Sequence, residues 1–336
     1  MAPPPFDDGQ ILRLVFLLGT GFVVTFSLTP LLARLAKKHR LVGIDAHKPN
    51  KPEIPDMCGL AIYAALAVSS IILAAIDSSA SNIYAGFLLC ITISTLIGAW
   101  DDLKPLNPKV KPMLTALSAI PMVALGAYNP FLRLPFVGTT RLTLVYPLLV
   151  LVAVAVLSNA INMMNPFNGA MSGTCSIASF AMIICLLLLG QVADAVLPSA
   201  LLGALLAFHY YNRYPAKVFS GNAGDLCVGA AIGALSIIGR VEVPMVIVMI
   251  PHISNAFYFL SSVRGLKERR ELKARPTKML PDGRLDSTED KSAPITLSRI
   301  ILAKGPLRED EIVRTMIYLT IVSSALATVT LLLWLR

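Results

Sequence analysis

The sequence predicts an all-α integral membrane protein of about ten transmembrane helices, with its chemistry gathered in the loops at one membrane face. Three observations carry that prediction. The 336 residues are 55% hydrophobic and only 15% charged, with a mean hydropathy of +0.70. Apolar stretches long enough to cross a bilayer recur along the whole chain. Almost no ionisable side chain stands in the middle of a stretch; Arg13 and Asp194 lie near ends, and His209 and His252 are isolated.

The stretches fall at 11–33, 57–76, 83–100, 112–128, 142–161, 170–190, 195–211, 223–239, 243–263 and 312–335. They read as one polytopic domain over 1–336, with 264–310 as a loop appendage before the last span. The first stretch lacks a small-residue cleavage site and is long for a signal peptide, so it reads as a retained span.

The net charge of +9 is informative through its placement. Taking the N-terminus as external, the Lys and Arg residues on the cytosolic side number six in 34–56, three in 101–111, two in 212–222 and twelve in 264–310, followed by Arg314. Only Arg13, Arg133, Arg141, Arg240 and Arg336 remain for the other side. The positive-inside rule then predicts both termini extracytoplasmic in a plasma membrane. Insertion topology accounts for these bases, and nucleic-acid binding is excluded as their explanation.

External connections are short, with only 129–141 longer, so the elaborate loops are cytosolic, where functional residues concentrate. An ion-coupled transporter would place acids or histidines at mid-membrane and often shows an internal repeat. Neither is found. Cys58, Cys90, Cys175, Cys185 and Cys227 are scattered inside spans without pair or metal spacing and read as small apolar packers. In 264–310, Asp282-Gly283 suits a hairpin turn. Beyond it, Ile295, Ile300, Ile301 and Leu302 among Arg299 and Lys304 suggest a short amphipathic helix lying in the membrane interface.

Four polar constellations sit on the cytosolic side. HKPNKPEIPDMCGL (47–60) carries Glu53 and Asp56 on a proline-stiffened backbone, and a solvated connector explains most of it. The pair Asp101-Asp102 ends an apolar span ten residues before Lys111. Acids beside a phosphate can hold Mg²⁺ or accept a proton, and a lysine offsets phosphate charge. In SNAINMMNPFNGAMSG, the residues Asn159, Asn162, Asn165 and Asn168 recur every third position, lining one helical face until Pro166 and Gly169 loosen the backbone. Amides there can ligate a hard cation or read the imide edge of a pyrimidine. Last, FSGNAGD is a Gly-rich turn entering an apolar helix, able to cradle phosphate, with Asn222 and Asp225 one turn apart.

In this order, IPDMCG, WDD followed by Lys111, NAINMMNPFNG, YPAKVFSGNAGD and the late basic loop resemble the polyprenyl-phosphate N-acetylhexosamine-1-phosphate transferases (glycosyltransferase family 4). The dolichyl-phosphate GlcNAc-1-phosphotransferase branch in an archaeal form is the nearest likeness. The resemblance covers nearly the whole chain. It implies Mg²⁺-dependent transfer (Mn²⁺ could replace it) of a sugar phosphate from a UDP-N-acetylhexosamine to a membrane polyprenyl or dolichyl phosphate, with release of UMP.

By position, the resemblance places Asp101, Asp102 and Lys111 as catalytic residues and Asn162 near the metal. Asn168 and Gly169 fall in the uridine-binding turn, and Asn165, Phe219 and Asp56 join the substrate set. Bacterial cell-wall members usually carry Asp at the position of Asn168 and a His-rich motif in the late loop; 264–310 has no histidine. Basic residues of that loop contact the sugar in the dolichol branch, which makes Lys273 and Arg275 the candidates. The family commonly has a metal-binding Asp soon after VF-x-G. This chain has Asn222 there and Asp225 three residues on, so either supplies the metal ligand. Small-residue runs such as GAAIGALSIIG could pair helices, in a homodimer or within the chain.

Overall fold

The structure is a computed structural model that describes residues 8–134, 137–266, 272 and 274–335. Its elements run α1 (Asp8–Lys38), β1 (Val42–Ile44), β2 (Glu53–Pro55), α2 (Leu60–Ile76), α3 (Ser81–Leu103), α4 (Val110–Leu117) and α5 (Ile120–Ala124). After these come β3 (Phe131–Leu134), β4 (Gly138–Arg141), α6 (Tyr146–Met163), α7 (Ala170–Leu188), α8 (Val196–Asn212) and α9 (Gly221–Ile238). The chain closes with α10 (Glu242–Val248), α11 (Ile250–Ser262), β5 (Thr277–Met279), β6 (Leu285–Ser287), α12 (Leu297–Ile301) and α13 (Glu309–Trp334).

This is an all-α multi-pass membrane protein. Among the described residues, seven helices are long and apolar enough to cross a membrane, and α10–α11, bent by 66°, makes an eighth if taken as one span. The other two expected spans are the shorter apolar helix α2 and the broken pair α4–α5. Proline explains both breaks: Pro121 and Pro251 open α5 and α11, and neither ring nitrogen can continue the ladder of the helix before it.

The outer helices α1 and α13 turn large apolar side chains outward, among them Leu12, Phe16, Val322 and Leu326. In a bilayer such a surface faces lipid and needs no further cover. Helix α9 is the enclosed one, packed by α3, α6 and α2. Its run of Gly and Ala makes this possible, because small side chains let backbones approach. At Gly98 of α3 an added Cβ would stand 2.4 Å from the Asn222 carbonyl oxygen, so only glycine allows α3 to meet the start of α9. The five cysteines are buried and unpaired.

The ends of α1, α3, α6, α8 and α11 and the starts of α2, α4, α7, α9 and α13 share one face, where the basic loops lie. Two features there differ from the sequence reading. Residues 42–55 form an antiparallel hairpin rather than a solvated connector, pairing Val42 with Pro55 and Ile44 with Glu53. The asparagine stripe does not stay helical, because α6 ends at Met163, before Pro166.

Loop 264–310 contains the expected hairpin, with β5 and β6 joined through Asp282-Gly283. Its helix α12 is only five residues long. Leu297 and Leu302 pack with Leu285, Met164, Phe167 and Met316 into a small core, leaving Ile295 and Ile300 exposed. A protein surface was available to cover them, formed by the α6–α7 turn and the start of α13.

Candidate active site

A cavity of about 310 Å³ opens at this face, and the turn of 164–169 forms one wall. Asn162, in the last turn of α6, lines the cavity, as do Asn165 and Asn168. Asn159 does not: its amide donates to Thr115 Oγ1 at 2.8 Å and ties α6 to α4. Gly169 also stays outside the lining. It takes φ +83° as the residue before α7, a left-handed turn suited to glycine.

The second wall is the entry to α9. The strand-like segment before it is held by backbone hydrogen bonds to the end of the 42–55 hairpin: Phe219 N–H donates to the Pro55 carbonyl at 2.8 Å, and Cys58 N–H to the Phe219 carbonyl at 3.0 Å. This fixes the Phe219 ring in the lining, against Gly43 of β1. Asp56, in the same hairpin end, lines the cavity and accepts Met57 N–H at 2.7 Å. Burial pushes its carboxyl above the usual carboxylate range, partly offset by that hydrogen bond.

The acidic pair divides its work. Asp101 is buried and accepts from Lys111 Nζ at 2.7 Å and from Leu106 N–H at 2.7 Å. Asp102 reaches α9, where it accepts from Asn222 N–H and Nδ2, both at 2.8 Å, and from Ala223 N–H at 3.0 Å. A carboxylate there satisfies donors that a helix start leaves unpaired, and it faces the positive end of the helix dipole. Only Asp102 of the two lines the cavity.

Asn222 and Asp225 are now distinguishable as cation ligands. The Asn222 side-chain oxygen Oδ1 already accepts Lys111 Nζ at 2.8 Å and Asn162 Nδ2 at 2.7 Å. Asp225 is 4% exposed, and its carboxylate accepts Ser220 Oγ at 2.6 Å and Asn165 Nδ2 at 2.9 Å. A carboxylate has about four acceptor positions, so it retains capacity for a cation. Asn162 spends its amide N–H on Asn222, leaving its oxygen without a partner among the described residues. Asn165 is fully committed, since its oxygen accepts Met171 N–H at 3.2 Å.

Four carboxylates therefore line one cavity: Asp45, Asp56, Asp102 and Asp225; among the described residues no Lys or Arg lines it. Such a cavity repels a nucleotide anion unless a cation enters with it, and the available donors are hard oxygens suited to Mg²⁺. A second cavity of about 370 Å³ shares His47 and is edged by Lys48, Arg284 and Arg308.

Sequence reasoning missed Asp45, Ser220 and Glu309. Asp45 and Glu309 are each 3% exposed and hold the 164–169 turn: Asn168 Nδ2 donates to Asp45 Oδ2 at 3.0 Å, and Asn168 N–H to Glu309 Oε1 at 2.7 Å. Asp45, His47 and Glu309 offer ligand atoms within 4.8 Å of one another, but Lys48, paired with Asp45 and 3.8 Å from Glu309, already supplies a counter-charge. In sequence, Asp45 reads as a turn residue and Glu309 as an ordinary first-turn acid, so neither gives a signal by itself. Lys273 lies outside the described residues. Arg275 is exposed ahead of β5 and, among the described residues, makes no hydrogen bond to the site.

Helices that enclose a cavity of carboxylates and amides at their mouths, with Phe219 in its lining, fit a membrane-embedded transferase. The chain belongs to glycosyl transferase family 4. That family's pattern matches residues 84–240, a span that includes both acids, Lys111, the asparagines, Asn222 and Asp225. A Limosilactobacillus reuteri protein named phospho-N-acetylmuramoyl-pentapeptide-transferase is 30% identical over 277 residues, covering 77% of this chain and 84% of that protein. A Saccharolobus solfataricus protein named for UDP-N-acetylglucosamine–dolichyl-phosphate N-acetylglucosaminephosphotransferase is 28% identical over 312 residues, covering 90% and 92%. A Bacillus subtilis protein named for undecaprenyl-phosphate N-acetylglucosaminyl 1-phosphate transfer is 28% identical over 273 residues, covering 76% and 74%.

Proposed function

We propose that the chain transfers N-acetylhexosamine 1-phosphate, GlcNAc 1-phosphate first among the choices, from a UDP-sugar to a polyprenyl phosphate of the dolichyl type, releasing UMP. The observation that supports it best is the convergence of Asp102, Asn162, Asn168, Phe219 and Asp225 on one cavity at the mouths of the spans. Phosphoryl transfer asks chiefly for positioning and charge neutralisation, and this lining offers both.

In this reading, an oxygen of the lipid phosphate attacks the sugar-bearing β-phosphorus in line. The new P–O bond forms as the bond to UMP breaks. Phe219 offers a stacking face for the base, and Asn168 an amide for its edge. Asp102 holds the start of α9, while Lys111 sits between Asp101 and Asn222, where its charge offsets phosphate oxygens. Asp225 and the Asn162 oxygen would hold Mg²⁺, or Mn²⁺ in its place, and Asn222 could join only by releasing Lys111 or Asn162. When bound, that cation neutralises diphosphate charge. A lipid phosphate monoester is already mostly ionised at neutral pH, so Asp101 and Asp102 act as anchors more than as a base.

The positive-inside distribution supports a cytosolic site and extracytoplasmic termini in a plasma membrane. Asn168 and the histidine-free late loop favour the dolichol type over the bacterial cell-wall type. The test is UMP release by the purified protein from UDP-GlcNAc, Mg²⁺ and dolichyl phosphate, with undecaprenyl phosphate as the competing acceptor. Absence of UMP with every UDP-N-acetylhexosamine would overturn the reading. Substrate flux into vesicles without UMP would make the chain a transporter.

A further inference from the structure

We propose that Asp45 sets which base the cavity accepts, by fixing the amide of Asn168 with its carbonyl oxygen, not its amino group, toward the nucleotide; this rests on the UDP-sugar reading above. Asn168 lines the cavity and is 4% exposed, and its Nδ2 donates to Asp45 Oδ2 at 3.0 Å. The flipped amide would set a carbonyl oxygen against that carboxylate, two acceptors without a proton between them. Lys48 forms an ion pair with the same Asp45 oxygen that accepts the Asn168 amide, which holds that carboxylate in place.

The backbone is held as well. Glu309 Oε1 accepts Asn168 N–H at 2.7 Å, so the turn cannot rotate to offer the other edge. Asn168 Oδ1 has no partner among the described residues and remains the atom available to a ligand. A uracil ring carries an N–H at its 3-position and donates to such an oxygen. Cytosine carries a bare nitrogen there, which the oxygen repels. A site built to accept a proton rejects a base that lacks one, because a buried acceptor is left unpaired. Asp45 acts through Asn168 and is a positioning residue.

The experiment is equilibrium binding of UMP and of CMP, with Mg²⁺, to the full chain in lipid nanodiscs. The wild-type protein should prefer UMP. Asp45→Asn can donate as well as accept, which frees the Asn168 amide to flip, and the UMP-over-CMP ratio should fall about tenfold. The double variant Asp45→Asn/Asn168→Asp restores one donor–acceptor pair and again presents an oxygen, so it should recover the preference for UMP. A purely structural role would weaken both nucleotides alike; an unchanged ratio in Asp45→Asn overturns the proposal. If Asp45→Asn does not fold, the double variant decides, and lack of UMP preference in it overturns the proposal. No preference in the wild-type protein overturns the uridine-nucleotide reading itself, a result read before any variant.

Discussion

Around the cavity, the ends of α3 and α6 and the start of α9 hold their charged and amide groups in hydrogen bonds of 2.6–3.0 Å. Loop 264–310, on the same face, leaves Arg264, Arg275, Lys278, Arg284, Lys291, Lys304 and Arg308 exposed. Its best-anchored base is Arg299, which donates to the carbonyls of Ala293, Thr288 and Asp290 and so shapes the loop itself. The difference separates two uses of charge. Groups fixed at helix ends need no reorganisation when a substrate arrives, whereas mobile side chains in water attract an anion from a distance.

The sharpest test of the fixed half concerns the cation. Chelation should abolish UMP release, and added Mg²⁺ should restore it. Asp225→Ala should cost more than the roughly 10–100-fold typical of losing an outer-shell partner of a metal, with a raised Mg²⁺ requirement. Asn222→Ala should change the Mg²⁺ requirement far less, because the Asn222 oxygen is already taken by Lys111 and Asn162. The opposite order in a Mg²⁺ titration of the two variants would move the ligand to Asn222.

Next in size is the buried pair of Lys111 and Asp101, whose side chains are 15% and 5% exposed. Lys111→Met strands the Asp101 charge and should lower stability by about 3 kcal/mol, as loss of one partner in a buried pair does. The double variant Asp101→Asn/Lys111→Met should regain most of that in thermal unfolding yet stay poorly active, since no cation remains beside Asn222. Recovery of activity with stability would make the pair a structural brace alone.

A smaller effect concerns pH. Burial raises the Asp56 carboxyl, so its ionised form is the costly one in the folded state. Its contribution to stability is fully present below the ordinary Asp value and is lost as pH rises through the raised one. In metal-free buffer, Asp56→Asn should remove that part of the decline from the pH profile of thermal unfolding. An unchanged profile would mean that Asp56 is solvated.

Much of the fixed half was legible because its residues stand out against apolar spans. Asp101, Asp102 and Lys111 are conspicuous where few charges occur, and three of the four regularly spaced asparagines reach one cavity. The fourth, Asn159, lies within α6 but turns to Thr115 of α4, a partner that helical periodicity does not reveal. The partners across the chain were not legible. Asp45 meets Asn168 over 123 positions and Glu309 meets it over 141, and no local pattern encodes a contact of that range. The small core that Leu297 and Leu302 share with Met164, Phe167 and Met316 was hidden for a related reason: amphipathicity requires an apolar partner but does not name it.

The smallest effect belongs to the loop. Arg275 is exposed and makes no hydrogen bond to the site, so Arg275→Ala should leave kcat nearly unchanged. It should lower kcat/KM for the UDP-sugar by no more than about threefold at low salt, the share of one steering charge. At ~1 M salt, where the screening length shrinks to about 3 Å, wild-type and variant values should converge. A loss that survives high salt and appears in kcat would break the comparison. It would mean that the loop closes until Arg275 touches the reacting phosphate or sugar, and that its charge is as fixed in the working enzyme as that of Lys111.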